Sequence, residues 1–370
     1  MRIVELLGRV LLAGLGAGLI GAVLGSAVRT VVLPRGVPAK LGRAVFDTMR
    51  QAYELRMRRA RSYADRDAVM ASYGPVSLLA LLQVWLVVSW LGFALIFLAL
   101  GLGLEQALRE SGSSLLTLGF DRPQSMASAL VAFVEAVVGL TLLALLITYL
   151  PSLYNSFSRR ESRVTKLEVR AGSPPTGTEL LWRIYTLGRA DLLQQTWLEW
   201  EDFFVDIEET HTSFPALAYF RSPQPAHHWV TASGAVLDAA ALQASAVQGE
   251  RDVDAELALR AGSLALRRIN EFFGLPYPAD PAPDDPISIR REEFDDALVR
   301  LQQGGVPLRA DREQAWRDFA GWRVNYDAVL LNLATLTMAP YAPWSSDRSS
   351  TFKHTSILPT RGRKNRSLKA

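Results

Sequence analysis

The sequence predicts an all-α membrane protein with three transmembrane helices, a short re-entrant helix between the second and third, and a helical cytoplasmic domain. Three observations predict it. Three stretches are long and apolar enough to cross a bilayer. Basic residues crowd the loops that would share one face of that bilayer. Beyond about residue 178, apolar positions recur at steps of three and four.

The spans run from about Val10 to Leu33, Val76 to Leu104 and Met126 to Leu150. The second carries no charge, and the third carries only Glu135. A soluble helix of such length needs a polar face, and none of the three has one. Whole-chain averages of 49% hydrophobic and 21% charged residues hide this, because the apolar excess sits in the first 150 of 370 residues. A net charge of +3, with basic residues in separate blocks, gives no footprint for nucleic acid. The absence of cysteine excludes disulfides, thiolate chemistry and Cys-based metal sites.

Orientation follows from Lys and Arg in the flanking loops. Ten run from Arg29, near the end of the first span, through Arg66 in the loop before the second, and five follow the third, from Arg159 to Arg170. The connection over 105–125 holds only Arg109 and Arg122. That loop is expected outside, with the N-terminus, and the C-terminal region in the cytoplasm of a multi-pass cell-membrane protein. Arg2 and Arg9 before an apolar run also fit a cleaved leader, but cleavage would leave the ten-residue basic block outside. Gly14, Gly18, Gly21, Ala22 and Gly25 fit a surface for close helix packing, or the general frequency of glycine in membrane helices.

Five segments are expected: 1–34, the first transmembrane helix; 35–75, a basic amphipathic linker; 76–158, a helix, re-entrant loop and helix; 159–344, a helical domain; 345–370, a basic disordered tail. In the linker Val45, Met49 and Tyr53 share a face, as in a helix lying on lipid headgroups or in a solvated connector. In the C-terminal region Trp182, Tyr185, Leu193, Trp197, Trp200 and Phe204 make an aromatic stripe. Helices are expected over 229–246, 252–273, 290–303 and 311–338, and the proline-rich stretch from Gly274 to Pro281 is expected to be non-helical.

The loop between the second and third spans carries the chemistry. It reads Ser113-Ser114-Leu115-Leu116-Thr117-Leu118-Gly119-Phe120-Asp121, preceded by a stretch too short to span. A half-crossing helix ending in Thr-x-Gly-aromatic offers a dehydrated cation the carbonyls of Thr117, Leu118, Gly119 and Phe120. Irregular backbone at membrane depth is tolerated only where it lines a cavity or is buried in protein. Glu135, a carboxylate inside a span, marks a functional position; pairing with Ser113 or Ser114 is expected.

Over residues 76–158 the sequence resembles the pore-loop potassium channel superfamily. Thr117-Leu118-Gly119-Phe120 is similar to that family's Thr-Val-Gly-Tyr filter. The resemblance implies that Gly139 is a hinge in the inner helix and that Glu135 braces the pore helix; read from the sequence, Gly139 equally fits a packing glycine. The family filter continues with a second glycine and then usually Asp, whereas Asp121 here follows Phe120 directly. Either the glycine is replaced by Asp, or it is deleted and Asp121 keeps the family acid's position.

The implied function is a potassium-channel-like cation channel of four identical chains, with K+ or another monovalent cation as cargo and no cofactor. The alternative is a non-conducting, membrane-anchored interaction or sensory protein that retains the scaffold. Expected partners are membrane lipids, further copies of the chain and a cytoplasmic partner. Glu208 and His211 stand one helical turn apart, with His227 and His228 in reserve, but the set falls short of a metal centre. No catalytic triad, phosphate loop or paired-acid cleft is present, so an enzyme is not expected.

Overall fold

The computed structural model describes residues 2–33, 40–58, 60 and 62–348. The expected tail from residue 349 onward, and Arg35, Arg59 and Arg61 of the basic linker, lie outside the described residues. Within them every regular element is helical; no strand occurs, and Val247 and Leu308 form one isolated antiparallel bridge. Three helical stretches, Ile3–Val32, Tyr63–Ala99 and Met126–Ala171, are long and apolar enough to cross a membrane.

The chain divides into two compact units, Met1–Tyr53 with Tyr73–Tyr154, and Glu54–Ser72 with Asn155–Ala370. The basic linker contributes to both. The first unit contains α1 (Arg2–Ala27), most of α2 (Lys40–Met57), α4 (Tyr73–Ala99), α5 (Leu104–Leu115) and the first part of α6 (Met126–Ala171). The second contains α3 (Tyr63–Ala71), the rest of α6, and α7 (Gly177–Thr186), α8 (Asp191–Ser213), α9 (Trp229–Ala246), α10 (Val253–Phe272), α11 (Arg291–Gln303), α12 (Arg312–Arg323) and α13 (Asp327–Thr337).

In the first unit α1 and α4 pack antiparallel, crossing at Gly16 and Gly92; a Cβ on Gly16 would meet the Gly92 carbonyl. Further along, the Trp85 indole donates to Ser26 Oγ at 3.1 Å. The four-residue glycine series is not the seam. Gly14, Gly18, Gly21 and Gly25 face open space, and the contact runs through Gly16, which the spacing argument passed over. Exposed Leu7, Val10, Leu11 and Leu15 give α1 an apolar outer surface, as a span requires. On α2 Val45, Met49 and Tyr53, expected to share a face, are half-buried, and Phe46 is buried. The Phe46 carbonyl accepts from the Tyr73 hydroxyl at 3.2 Å, and both rings of Phe46 and Tyr53 stand edge-on to Tyr73.

The second unit is built around α9, whose Ala-rich sequence is buried on every face. Small residues allow neighbouring helices to approach: Gly177 of α7 lies against Ala235 and Ala239, and Gly262 of α10 fits beneath Phe204 and Leu237. The aromatic stripe divides between two helices. Leu193, Trp197, Trp200 and Phe204 are buried on α8, while Trp182 and Tyr185 are half-buried on α7. The expected helix over 311–338 is two helices, broken at Val324–Tyr326. There Arg267 donates to the Asn325 carbonyl at 2.7 Å, capturing an acceptor that a continuous helix would have used internally.

Candidate functional site

The site lies in the first unit, where α5 is held between α4 and α6. Helix α4 ends in a Schellman motif: Gly101 has φ of 99°, its N–H bonds the Leu98 carbonyl, and the Leu102 N–H reaches Phe97. Two residues later Gly103 caps α5, which is amphipathic and twelve residues long, about 18 Å. Its buried face includes Ala107, Glu110, Ser111 and Leu115.

Trp90 ties α5 to α4. Its indole donates to the Leu108 carbonyl at 2.9 Å, and Gly112 lets the ring sit against the α5 backbone. Towards α6, Ser111 Oγ lies 2.6 Å from Glu135 Oε1 and also 2.9 Å from the Trp90 carbonyl. One turn on, Gly139 faces the Leu115 carbonyl so closely that a Cβ would collide with it. Ser111 with Glu135, and Leu115 with Gly139, fix a parallel register of α5 against α6. The end of α5 therefore sits beside a point about 20 Å along α6 from Met126, at 1.5 Å per residue.

From that point the chain turns back. The Thr117 N–H bonds the Ser114 carbonyl at 3.0 Å and the Leu118 N–H bonds the Ser113 carbonyl at 2.8 Å, a second Schellman motif. Thr117 supplies its left-handed residue, at φ 54°, and Gly119 follows at φ 72°. The returning strand of loop is pinned to α5: the Asp121 N–H donates to Ser113 Oγ at 3.2 Å, and Arg109 Nε lies 3.5 Å from Asp121 Oδ2. Leu118 and Phe120 remain 61% and 58% exposed.

The residues expected to form the site are thus brought together, with one change of partner. Glu135 meets Ser111, not Ser113 or Ser114. Residues 111 and 113 lie about 200° apart around a helix, so the Ser113 hydroxyl is turned to Asp121 instead. Ser114 contributes its carbonyl to the turn. Gly139 is a close-packing position against α5. Glu110, Ser111, Trp90 and Arg109 were not singled out from sequence. A second carboxylate, Glu110, in so short a segment between two spans was the available signal.

In the second unit Glu208 and His211 have separate partners. Glu208 pairs with Arg268 at 2.5 Å. His211 donates from Nδ1 to the Ile207 carbonyl at 2.9 Å, leaving Nε2 to accept from the buried Arg160 guanidinium at 3.1 Å. Burial and the Arg160 charge hold its imidazole neutral, well below the usual histidine range. His227 bonds Glu168 at 2.6 Å and His228 caps α9 by accepting from the Val230 N–H. No group of three His, Cys, Asp or Glu among the described residues converges on a metal-sized site.

No protein-family model, curated protein or solved structure matches the chain.

Proposed function

We propose that the chain is a potassium-channel-type cation channel whose re-entrant helix is α5 and whose filter is the carbonyl row of Thr117 to Phe120. The depth of α5 carries this reading. Its end is seated on Gly139, about 20 Å inside a helix whose apolar stretch is long enough to span, and the loop then returns beside it. A loop at that depth needs a wet cavity or a protein partner for its backbone. Thr117, Leu118, Gly119 and Phe120 are exposed on the single chain. Four copies around one axis would turn those carbonyls inward and bury the Leu118 and Phe120 side chains. The second unit, on the cytoplasmic side, would pass a signal to the inner helix α6, which contributes residues to both units.

One observation favours a second reading, a non-conducting scaffold that anchors an interaction or sensory domain. Asp121 directly follows Phe120 and is tethered to Arg109 and Ser113, where the family continues with glycine. Potassium flux into liposomes reconstituted with the full chain separates the two. Conduction that disappears in Gly119→Pro, from a particle of four chains by native mass measurement, is the expected result. A four-chain particle silent under all voltages and pH values applied would establish the scaffold; a strict monomer would remove the shared pore.

A further inference from the structure

We propose that Glu110 and Glu135 form an internal proton-binding site that holds one proton taken from solvent between α5 and α6. Hydrogen-bond counting carries this. Ser111 Oγ stands within bonding distance of two acceptors, the Trp90 carbonyl at 2.9 Å and Glu135 Oε1 at 2.6 Å, and it owns a single hydrogen. Both contacts are made together only when Glu135 is the donor. A protonated Glu135 gives its hydrogen to Ser111 Oγ, and Ser111 gives its own to the Trp90 carbonyl.

Glu110 supplies an independent reason. It is 1% exposed, and neither carboxylate oxygen has a hydrogen-bond partner. Ser128 is within reach of Glu110, and the one hydroxyl proton it owns is contested by that carboxylate and the Ser125 carbonyl at 3.0 Å. Glu135 is fully buried, and its Oε2 is also unpartnered. Glu110 adds its negative charge beside Glu135, and Asp121 adds its own beside Glu110. Two like charges in a low-dielectric interior, with three oxygens lacking donors, are relieved when the pair takes up a proton. Because the two carboxyls are coupled, the proton belongs to the pair rather than to either residue.

Among the described residues no cation faces the pair, and the one further charge that acts on it, Asp121 on Glu110, is negative. On α5, Arg109 is turned to Asp121 on the loop and to Glu105 on its own helix. Along α4 the only ionisable side chain is Tyr73, at the far end of the helix. Losing the proton would place two charges between α5 and α6 and break the Ser111 chain. Since α5 carries the 117–121 loop, proton occupancy sets how firmly that loop is seated. The inference needs the α5–α6 geometry and does not depend on conduction.

Infrared difference spectroscopy on the full chain in liposomes, titrated from neutral to alkaline pH, tests it. The expected result is a protonated-carboxyl stretch at neutral pH that shifts in Glu135→Gln and in Glu110→Gln, disappears in the double glutamine variant, and persists in the exposed-carboxylate variant Glu105→Gln. Glutamine at 135 can still donate to Ser111, so Glu135→Gln should remain folded. Its thermal midpoint should hold at alkaline pH, where the wild type loses several degrees. No such stretch at neutral pH, or one that survives in the double glutamine variant, overturns the proposal. So does a metal ion found bound stoichiometrically by elemental analysis and lost in Glu110→Gln. These readouts are obtained equally from a non-conducting preparation, so failure of the channel reading and failure of this one are separable.

Discussion

The Leu115 carbonyl oxygen and Gly139 are in contact across α5 and α6, with no room between them for a methyl group. The obstacle is backbone rather than a flexible side chain, so it cannot rotate away. Gly139→Ala should therefore lower stability by about 1–3 kcal/mol, the usual cost of overpacking. Thermal unfolding in detergent measures this. A purely hinge-like glycine, facing open space, would lose little or gain slightly on the same change.

The crossing of α1 and α4 gives a paired comparison. Gly16→Val drives a side chain into the Gly92 carbonyl and Ile96, whereas Gly18→Val points into open space two residues away. The first should lower the unfolding midpoint by an amount equivalent to about 1–3 kcal/mol, and the second should leave it within about 0.5 kcal/mol. Equal effects would mean that α1 packs on α4 by another face.

Arg323 is fully buried and joins three parts of the second unit. It reaches Asp238 on α9 at 2.5 Å, Asp327 on α13 at 2.8 Å and the Trp344 carbonyl at 2.6 Å. The two carboxylates beside it raise its affinity for its proton further, against the effect of burial. Removing it leaves the Asp238 and Asp327 carboxyls without their cation. Arg323→Ala should cost about 3–5 kcal/mol in denaturant unfolding. Arg323→Ala with Asp238→Asn should recover part of that loss, because one orphaned carboxyl is gone.

His211 and His228 provide an acid-side signature. Burial is the main cause holding both below the usual histidine value, with neighbouring arginine charges adding to it. The unfolded chain takes up protons at these positions below pH about 6.5, and the folded chain does not. Stability should therefore fall as pH drops below about 6.5, by about 1.4 kcal/mol per pH unit for each histidine. Chemical unfolding at a series of pH values reads the slope, and His211→Gln should reduce it by about half.

How much of this was legible in the sequence depends on the length scale. The three long apolar helices and the helical C-terminal region followed from composition and periodicity, because burying twenty apolar residues in lipid leaves few alternatives. The helix over Trp229–Ala246 and the proline-interrupted stretch after Phe273 were read close to their observed limits. Partner identity was less legible. Gly16 rather than Gly18, and Ser111 rather than Ser113, depend on which face of a helix meets which neighbour. An error of two residues in register turns a face by about 200°. The break at Asn325 was invisible for a related reason, since the side chain that captures its carbonyl, Arg267, lies on another helix.

Thr117 closes the end of α5 with a backbone shape that a β-branched residue adopts only at a penalty of about 1–2 kcal/mol. The turn is thus spring-loaded. Whatever offers that peptide a better arrangement, be it an ion seeking oxygens or a neighbouring chain, starts with part of the work already done. Thr117→Gly would release the tension without asking the loop to move, because glycine adopts this backbone shape freely.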